Sequence, residues 1–134
     1  MSMKEKIKHN KGSVCNIKYH IVWIPRRRRK VLVGKLADRL EELLRQKANE
    51  IMVDIQKLAI QPDHVHLFVS APPSLSISQI VFRLKGYTAR VLRQEFDNLK
   101  KMPSMWTTSY YVGTIGHISQ ETVEKYIAAQ SKRA

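Results

Sequence analysis

Two stretches of the chain alternate so regularly between apolar and polar side chains that each must lie in a sheet with one face buried. Residues 15–24 (CNIKYHIVWI) set Cys15, Ile17, Tyr19, Ile21 and Trp23 on one side and Asn16, Lys18 and His20 on the other. Residues 64–70 (HVHLFVS) set Val65, Leu67 and Val69 against His64 and His66. Successive side chains of a strand point to opposite faces. A slip of one residue would turn every apolar group of such a strand to water, so its register is strongly specified.

The segments between change period. Leu36, Leu40, Leu43, Leu44 and Lys47 fall on one helical stripe, which predicts an amphipathic helix over residues 35–50. Residues 51–60 (IMVDIQKLAI) read as a second strand, and Pro62-Asp63 as the short turn of a hairpin into residues 64–70. Ala71-Pro72-Pro73 breaks the chain. Ser76 and Gln79 then have the spacing of a capping box. Ile77, Ile80, Val81, Leu84, Val91 and Leu92 continue a second helix to about Phe96. Gly86 is its weak point, costing roughly 1 kcal/mol in a helix interior. Residues 97–108 look irregular. Tyr110 to Ile115 reads as a fourth strand, closed by Gly113 and Gly116. Ser119 can cap a last helix, with Glu121 at its positive end and Val123, Ile127 and Ala128 along it.

The order β-α-β-β-α-β plus a C-terminal helix is the ferredoxin-like, split β-α-β (RRM-like) α+β pattern. It predicts an antiparallel sheet with strands one and three central. Both helices should cover one face, leaving the other for a ligand or the extra helix. The 134 residues suit a single domain (1–134), with a flexible basic N-terminus at 1–12 and the C-terminal helix within 117–134.

Lys and Arg number 24 against 11 Asp and Glu, a formal net charge of +13. Self-repulsion of that size calls for a polyanionic partner, and nucleic acid is the commonest. No apolar run approaches the roughly 20 residues that span a bilayer, and no signal-peptide stretch precedes the first strand. The single cysteine, Cys15, excludes an intrachain disulfide. A cytoplasmic setting without membrane attachment follows as the expectation.

The chemistry concentrates at His64-Val65-His66. On a strand both imidazoles leave the same face, with Cα atoms roughly 6.6 Å apart. If Val65, Leu67 and Val69 face the helices, the histidines face outward, where two neutral imidazoles can share a divalent ion or stand solvated. His20 lies on the polar side of strand one, close to the pair if strands one and three are neighbours. Tyr126 and Gln130 are four apart on the last helix and so share a side. A tyrosine oxygen can attack phosphorus and an amide oxygen can complete a hard-ion site; equally, Tyr126 can be a rim aromatic of an amphipathic helix. Arg26, Arg27, Arg28, Arg29 and Lys30 form a basic loop suited to phosphate or simply solvated, and Lys85, with Arg83 and Arg90, can extend it or make the wet face of its helix. Trp106 and Tyr110 could stack on bases, though core burial suits each better. Tyr87 and Tyr111 rank below Tyr126 as nucleophiles because neither has a metal-ligand type at matching helical spacing.

HVHLFVS read with YIAAQ resembles the HUH endonuclease superfamily, in which two histidines flank a bulky hydrophobic residue, here Val65. The chain is most similar to the TnpA-type single-tyrosine (IS200-like) transposases of bacterial and archaeal insertion sequences. The resemblance runs through most of its length. It covers Tyr19-His20-Ile21-Val22-Trp23-Ile24-Pro25 with the following arginines and Lys30-Val31-Leu32, then Pro62-Asp63-His64-Val65-His66-Leu67 and Leu84-Lys85-Gly86-Tyr87-Thr88. It ends with Trp106, Tyr110, Gly113-Thr114-Ile115-Gly116 and Tyr126-Ile127-x-x-Gln130. The resemblance implies that His64, His66 and Gln130 bind Mg²⁺ or Mn²⁺; from its position alone His20 could support the site from behind, as Asp63 could, or contact DNA, or be an ordinary structural histidine. It implies Tyr126 as the nucleophile, giving a 5′-phosphotyrosine and a free 3′-hydroxyl in single-stranded DNA beside hairpin ends. It also implies a homodimer in which the last helix is exchanged, so that active sites are shared, with Gly113 and Gly116 as hinges.

Three rivals stand beside this reading. A domesticated relative would cut genomic hairpin repeats by the same chemistry. A non-catalytic RRM-like nucleic-acid-binding module would expect aromatics on the open sheet face, where only Phe68 can be placed. A phosphoesterase with paired histidine motifs would need a second HxH or HxT, and none occurs.

Overall fold

The computed structural model describes residues 16–113 and 124–129. Within them the chain builds β1 (Ile17–Trp23), a 3₁₀ turn (Arg26–Arg28), α1 (Gly34–Glu50), β2 (Asp54–Gln61) and β3 (His64–Ala71). It continues as α2 (Ile77–Glu95), α3 (Asp97–Lys100) and β4 (Tyr111–Gly113). A further helix, α4, spans residues 124–129. Residues 1–12, Cys15, Ile115, Gly116, Ser119, Glu121, Val123 and Gln130 lie outside the described residues.

The sheet runs β2-β3-β1-β4, and every neighbouring pair is antiparallel. This is the expected ferredoxin-like α+β arrangement, with β1 and β3 in the centre. Ile21, Trp23, Val65, Leu67 and Val69 are fully buried on one face. They pack with Leu40, Leu43 and Leu44 of α1 and with Ile80, Leu84 and Leu92 of α2. Arg39 clamps the two helices together with a bidentate pair onto Glu95, at 2.9 and 3.0 Å.

Local chemistry sets the boundaries. Ser76 caps α2 in a complete capping box with Gln79, which satisfies two backbone donors that a helix start leaves open. β2 begins at Asp54, three residues later than the apolar run from Ile51 suggests. The reason lies at the end of α1, where Met52 takes a left-handed φ of 66°. The Val53 amide turns back to the Ala48 carbonyl at 2.8 Å. A left-handed residue ends the helix and cannot sit in a strand. Pro62-Asp63 closes the hairpin, with Gln61 opposite His64. The stretch expected to be irregular contains the one-turn α3 and then buries Leu99, Met102, Met105 and Trp106. Burial of Trp106 settles its place as core, edge-on to Trp23 with ring centres 5.8 Å apart.

Gly86 lies inside α2 on its outer side, and a Cβ added there meets no atom within 4 Å. Gly86→Ala is therefore expected to stabilise the fold by about 0.5–1 kcal/mol, because glycine loses most backbone freedom in a helix. Urea denaturation measures this; a lower midpoint than wild type would contradict it.

Candidate active site

The two central ladders lay polar groups out in rows on the face that α1 and α2 do not cover. One row runs Ala59, His66, Val22, Tyr111 across β2, β3, β1 and β4. The next runs Lys57, Phe68, His20, Gly113. His64 lies two residues before His66 on β3 and so shares its face. His20 stacks on Phe68 with ring centres 4.5 Å apart and lies 5.8 Å from the ring of His66. The central position of β1 and β3 thus brings His20 beside the histidine pair. Phe68 occupies this face as expected, and Tyr111 joins it.

Each imidazole has a distinct environment. His64 Nδ1 lies 3.0 Å from Asp63 Oδ1, and a carboxylate there holds the proton on Nδ1 and leaves Nε2 as the lone pair. Asp63 also accepts from Arg28 Nε at 2.7 Å. Burial alone would raise the Asp63 pKa, but the hydrogen bonds from His64 and Arg28 outweigh it and hold the carboxyl below its ordinary value. His66 Nε2 is buried and has no hydrogen-bond partner among the described residues. Burial, then the neighbouring His20 and His64, lower the His66 pKa, so the ring stays neutral and its lone pair available.

The fourth helix reaches the same face. Ile127 is almost fully buried against Val22 and Ile24, with Tyr111 and Tyr126 packed around them. The Tyr126 and Tyr111 rings are 6.1 Å apart. Tyr111 shares a row with His66 two strands away, about 10 Å at ordinary strand spacing. The Tyr126 phenol oxygen lies 3.2 Å from Ser109 Oγ. Burial raises the Tyr126 pKa, and hydrogen bonds with Ser109 and Thr107 offset part of the rise. Tyr87 sits on the other side of the sheet, its hydroxyl on Gln46 and its ring beneath Lys47 and Arg90.

These residues fit a cation. His66 Nε2 has no partner among the described residues, and Asp63 aims the His64 ring. Among the described residues no three His, Cys, Asp or Glu side chains gather into a metal cluster. Two imidazoles alone would leave an ion open to other oxygen ligands.

The basic residues divide. Lys85, expected on the wet face of its helix, turns inward, and its Nζ donates to the Thr107 and Ser109 carbonyls at 2.5 and 3.2 Å. Burial lowers its pKa to about 8. Arg26 donates to Ser104 Oγ at 3.3 Å, and Arg28 is held by Asp63. Arg27, Arg29 and Lys30 remain exposed. Arg83 and Arg90 line a groove on the helix side with Lys47, Gln79, Tyr87 and an exposed Phe82. Sequence reasoning missed Ser109, because it sits in an aperiodic stretch, and Phe82, whose exposure no local pattern marks.

The chain matches the family model described as "Transposase IS200 like" over residues 13–130. It is 34% identical over 128 residues to the ISDra2 transposase TnpA of Deinococcus radiodurans, covering 93% of this chain and 91% of the relative. It is 31% identical over 118 residues to the transposase of insertion sequence IS200 from Salmonella typhimurium, covering 86% and 77%. A crystal structure described as a transposase from Deinococcus radiodurans R1 superposes with a TM-score of 0.85 at 34% identity, over 92% of this chain and 97% of that one. A REP-associated tyrosine transposase bound to a REP hairpin shares the fold, with a TM-score of 0.53 at 13% identity over 83% of this chain and 62% of that one.

Replacing Arg27, Arg29 and Lys30 together by Ala is expected to weaken oligonucleotide binding evenly across sequences. The slope of log K against log salt should fall by about 2, the value for three single-strand phosphate contacts. A slope equal to wild type, measured by anisotropy across a salt series, would place the phosphates elsewhere.

Proposed function

The chain belongs to the IS200-like transposase family, and from that premise we propose that it cuts and rejoins single-stranded DNA at insertion-sequence ends through a covalent 5′-phosphotyrosine on Tyr126. The observation that carries this reading is the shared open face. His64, His66 and Tyr126 stand on it together, and α4 is anchored there by Ile127 on Val22 and Ile24.

His64 and His66, with Gln130 of the last helix, would hold Mg²⁺ or Mn²⁺. Bound there, the ion would polarise the scissile phosphate and offset charge as it develops. Imidazole nitrogens and an amide oxygen would bring no negative charge to the ion, leaving its charge for the phosphate. Asp63 and Arg28 keep the His64 ring in the binding tautomer. Tyr126 supplies the attacking oxygen. Its Oη bonds to phosphorus and its proton leaves, while the bond from phosphorus to the 3′-oxygen breaks and that oxygen departs as a hydroxyl. Attack on the phosphotyrosine by a 3′-hydroxyl reverses these steps and frees Tyr126. The bond energy stays in the covalent link, so rejoining needs no nucleotide cofactor.

Arg27, Arg29 and Lys30 supply contacts to the phosphate backbone, and the groove of Lys47, Arg83 and Arg90 offers a second basic surface for a hairpin stem. Two copies would form a homodimer with active sites shared between chains. Exchange of α4 would preserve the contacts that Ile127 and Tyr126 make, since each copy presents the same Val22, Ile24 and Ser109.

The decisive experiment incubates the protein with Mg²⁺ and single-stranded oligonucleotides from the flanks of its own gene, and looks for a denaturation-resistant adduct. The adduct should form with wild type and vanish with Tyr126→Phe, with His64→Ala/His66→Ala and with EDTA. Tight binding without an adduct on any flank would favour a non-catalytic nucleic-acid-binding module; an adduct that survives Tyr126→Phe would move the nucleophile to another tyrosine. Asp63→Asn should weaken Mn²⁺ binding by about 10–100-fold, the usual cost of losing a group that orients a metal ligand. Calorimetric titration reads this, and an unchanged affinity would detach Asp63 from the site.

A further inference from the structure

The segment 105–109 is tied down on two sides before it reaches the nucleophile. On the β1 side, the Arg26 amide donates to the Met105 carbonyl at 2.8 Å and the Thr107 amide to the Ile24 carbonyl at 3.1 Å. Trp106 pairs with Pro25 across an isolated bridge. On the α2 side, Trp106 Nε1 donates to the fully buried Thr88 hydroxyl at 3.1 Å. Three residues before Thr88, Lys85 reaches the next two carbonyls of interest, those of Thr107 and Ser109. Ser109 then meets Tyr126 through its side chain.

Lys85 is an unusual choice for a structural tie. Its ammonium is largely withdrawn from water, and among the described residues no carboxylate pairs with it. A cation so placed is costly unless its hydrogen bonds are met. Both known acceptors are backbone carbonyls of one short segment, so the side chain fixes where that backbone lies. Ser109 and Thr107 both offer hydroxyls to the Tyr126 oxygen, with Ser109 Oγ at 3.2 Å, so moving this backbone would displace both.

We propose that Lys85 is a positioning residue for the nucleophile: it holds the Thr107–Ser109 backbone so that the Ser109 hydroxyl meets Tyr126 Oη and donates to that oxygen as it becomes anionic. The inference rests on Tyr126 being the attacking group. The Ser109 proton stays on Ser109 throughout, and the Tyr126 proton passes to solvent as the bond to phosphorus forms. A donor aimed at a phenolate favours the charged form. It thereby opposes the burial that raises the Tyr126 pKa. The Lys85 assignment differs from a phosphate contact in what it controls: the rate once DNA is bound, not the affinity for DNA.

The test is single-turnover adduct formation on the flank oligonucleotide with Mg²⁺, across a pH series, for wild type, Ser109→Ala, Ser109→Thr and Lys85→Met. DNA affinity and its salt dependence are measured on the same proteins. Ser109→Ala should bind DNA as wild type does but form adduct roughly tenfold more slowly near neutral pH, the effect of about one pKa unit on the nucleophile. Its pH–rate curve should move to higher pH, and Ser109→Thr should restore it. Lys85→Met should slow the bound reaction without flattening the salt slope. An unchanged rate and pH profile in Ser109→Ala would overturn the proposal. So would a Lys85→Met protein that loses affinity and salt slope yet reacts normally once bound. Should Lys85→Met fail to fold, Ser109→Ala, which removes one hydroxyl, decides alone. Absence of any adduct from wild type would remove Tyr126 as nucleophile and this inference with it.

Discussion

The buried side of β3 governs everything built on its other side. Val65, Leu67 and Val69 are each fully buried beneath α1 and α2. Burying such a side chain is worth roughly 1.5–3 kcal/mol, so the three together pin the strand's register. A slip of one residue would expose all three and drive His64 and His66 into an apolar core. The imidazoles face outward because their neighbours cannot. β1 is held to β3 along its whole length, from Ile17 opposite Ala71 to Trp23 opposite Val65. That ladder carries His20 to the side of His66 with no further device.

The open face is not uniformly polar, and its exceptions are informative. Val22 of β1 and Ile24 just beyond it would be exposed if nothing covered them; both are fully buried, with Ile127 closing over them. The apolar pair breaks the polar side of the alternation where the last helix docks. Tyr126 directly precedes the docking residue, so anchoring Ile127 also delivers the phenol. Hydrophobic burial, which has no direction of its own, thus sets the helix on the sheet. The hydrogen bond to Ser109 then supplies the orientation.

What could be read from the sequence was whatever depended on neighbours along the chain. Alternation revealed β1 and β3, helical spacing revealed α1 and α2, and Ser76 with Gln79 marked the start of α2. The order of these elements implied which strands are central, and so put His20 near His64 and His66. The beginning of β2 is hidden because Ile51 and Met52, though apolar, belong to the turn that ends α1, with Ile51 against the core and Met52 exposed. A left-handed residue carries no apolar signature. The inward turn of Lys85 is hidden for a deeper reason. On its helix it looks like part of a basic face with Arg83 and Arg90, and only the approach of residues 107–109, more than twenty positions away, turns it inward. Ser109 had no local pattern at all. Aperiodic segments are shaped by what they pack against, and that information lies elsewhere in the chain.

The same point changes how the charge of +13 should be understood. A simple count treats each cation as available to phosphate. Yet Arg28 holds Asp63, Lys85 holds two carbonyls, and Arg93 donates to the Met102 carbonyl at 2.8 Å. Arg39, Arg45, Lys47 and Lys100 each lie against a carboxylate. The exposed pairs among these are worth little in water, typically under about 1 kcal/mol, so phosphate can compete for them. Lys85 and Arg93, which hold carbonyls of residues 102–109, cannot be recruited without undoing that segment. Net charge therefore overstates the number of backbone contacts such a chain can make. On the proposed function, the cations left for a phosphate backbone are those outside this internal wiring, chiefly Arg27, Arg29 and Lys30 beyond the end of β1 and Arg83 and Arg90 on the helix side.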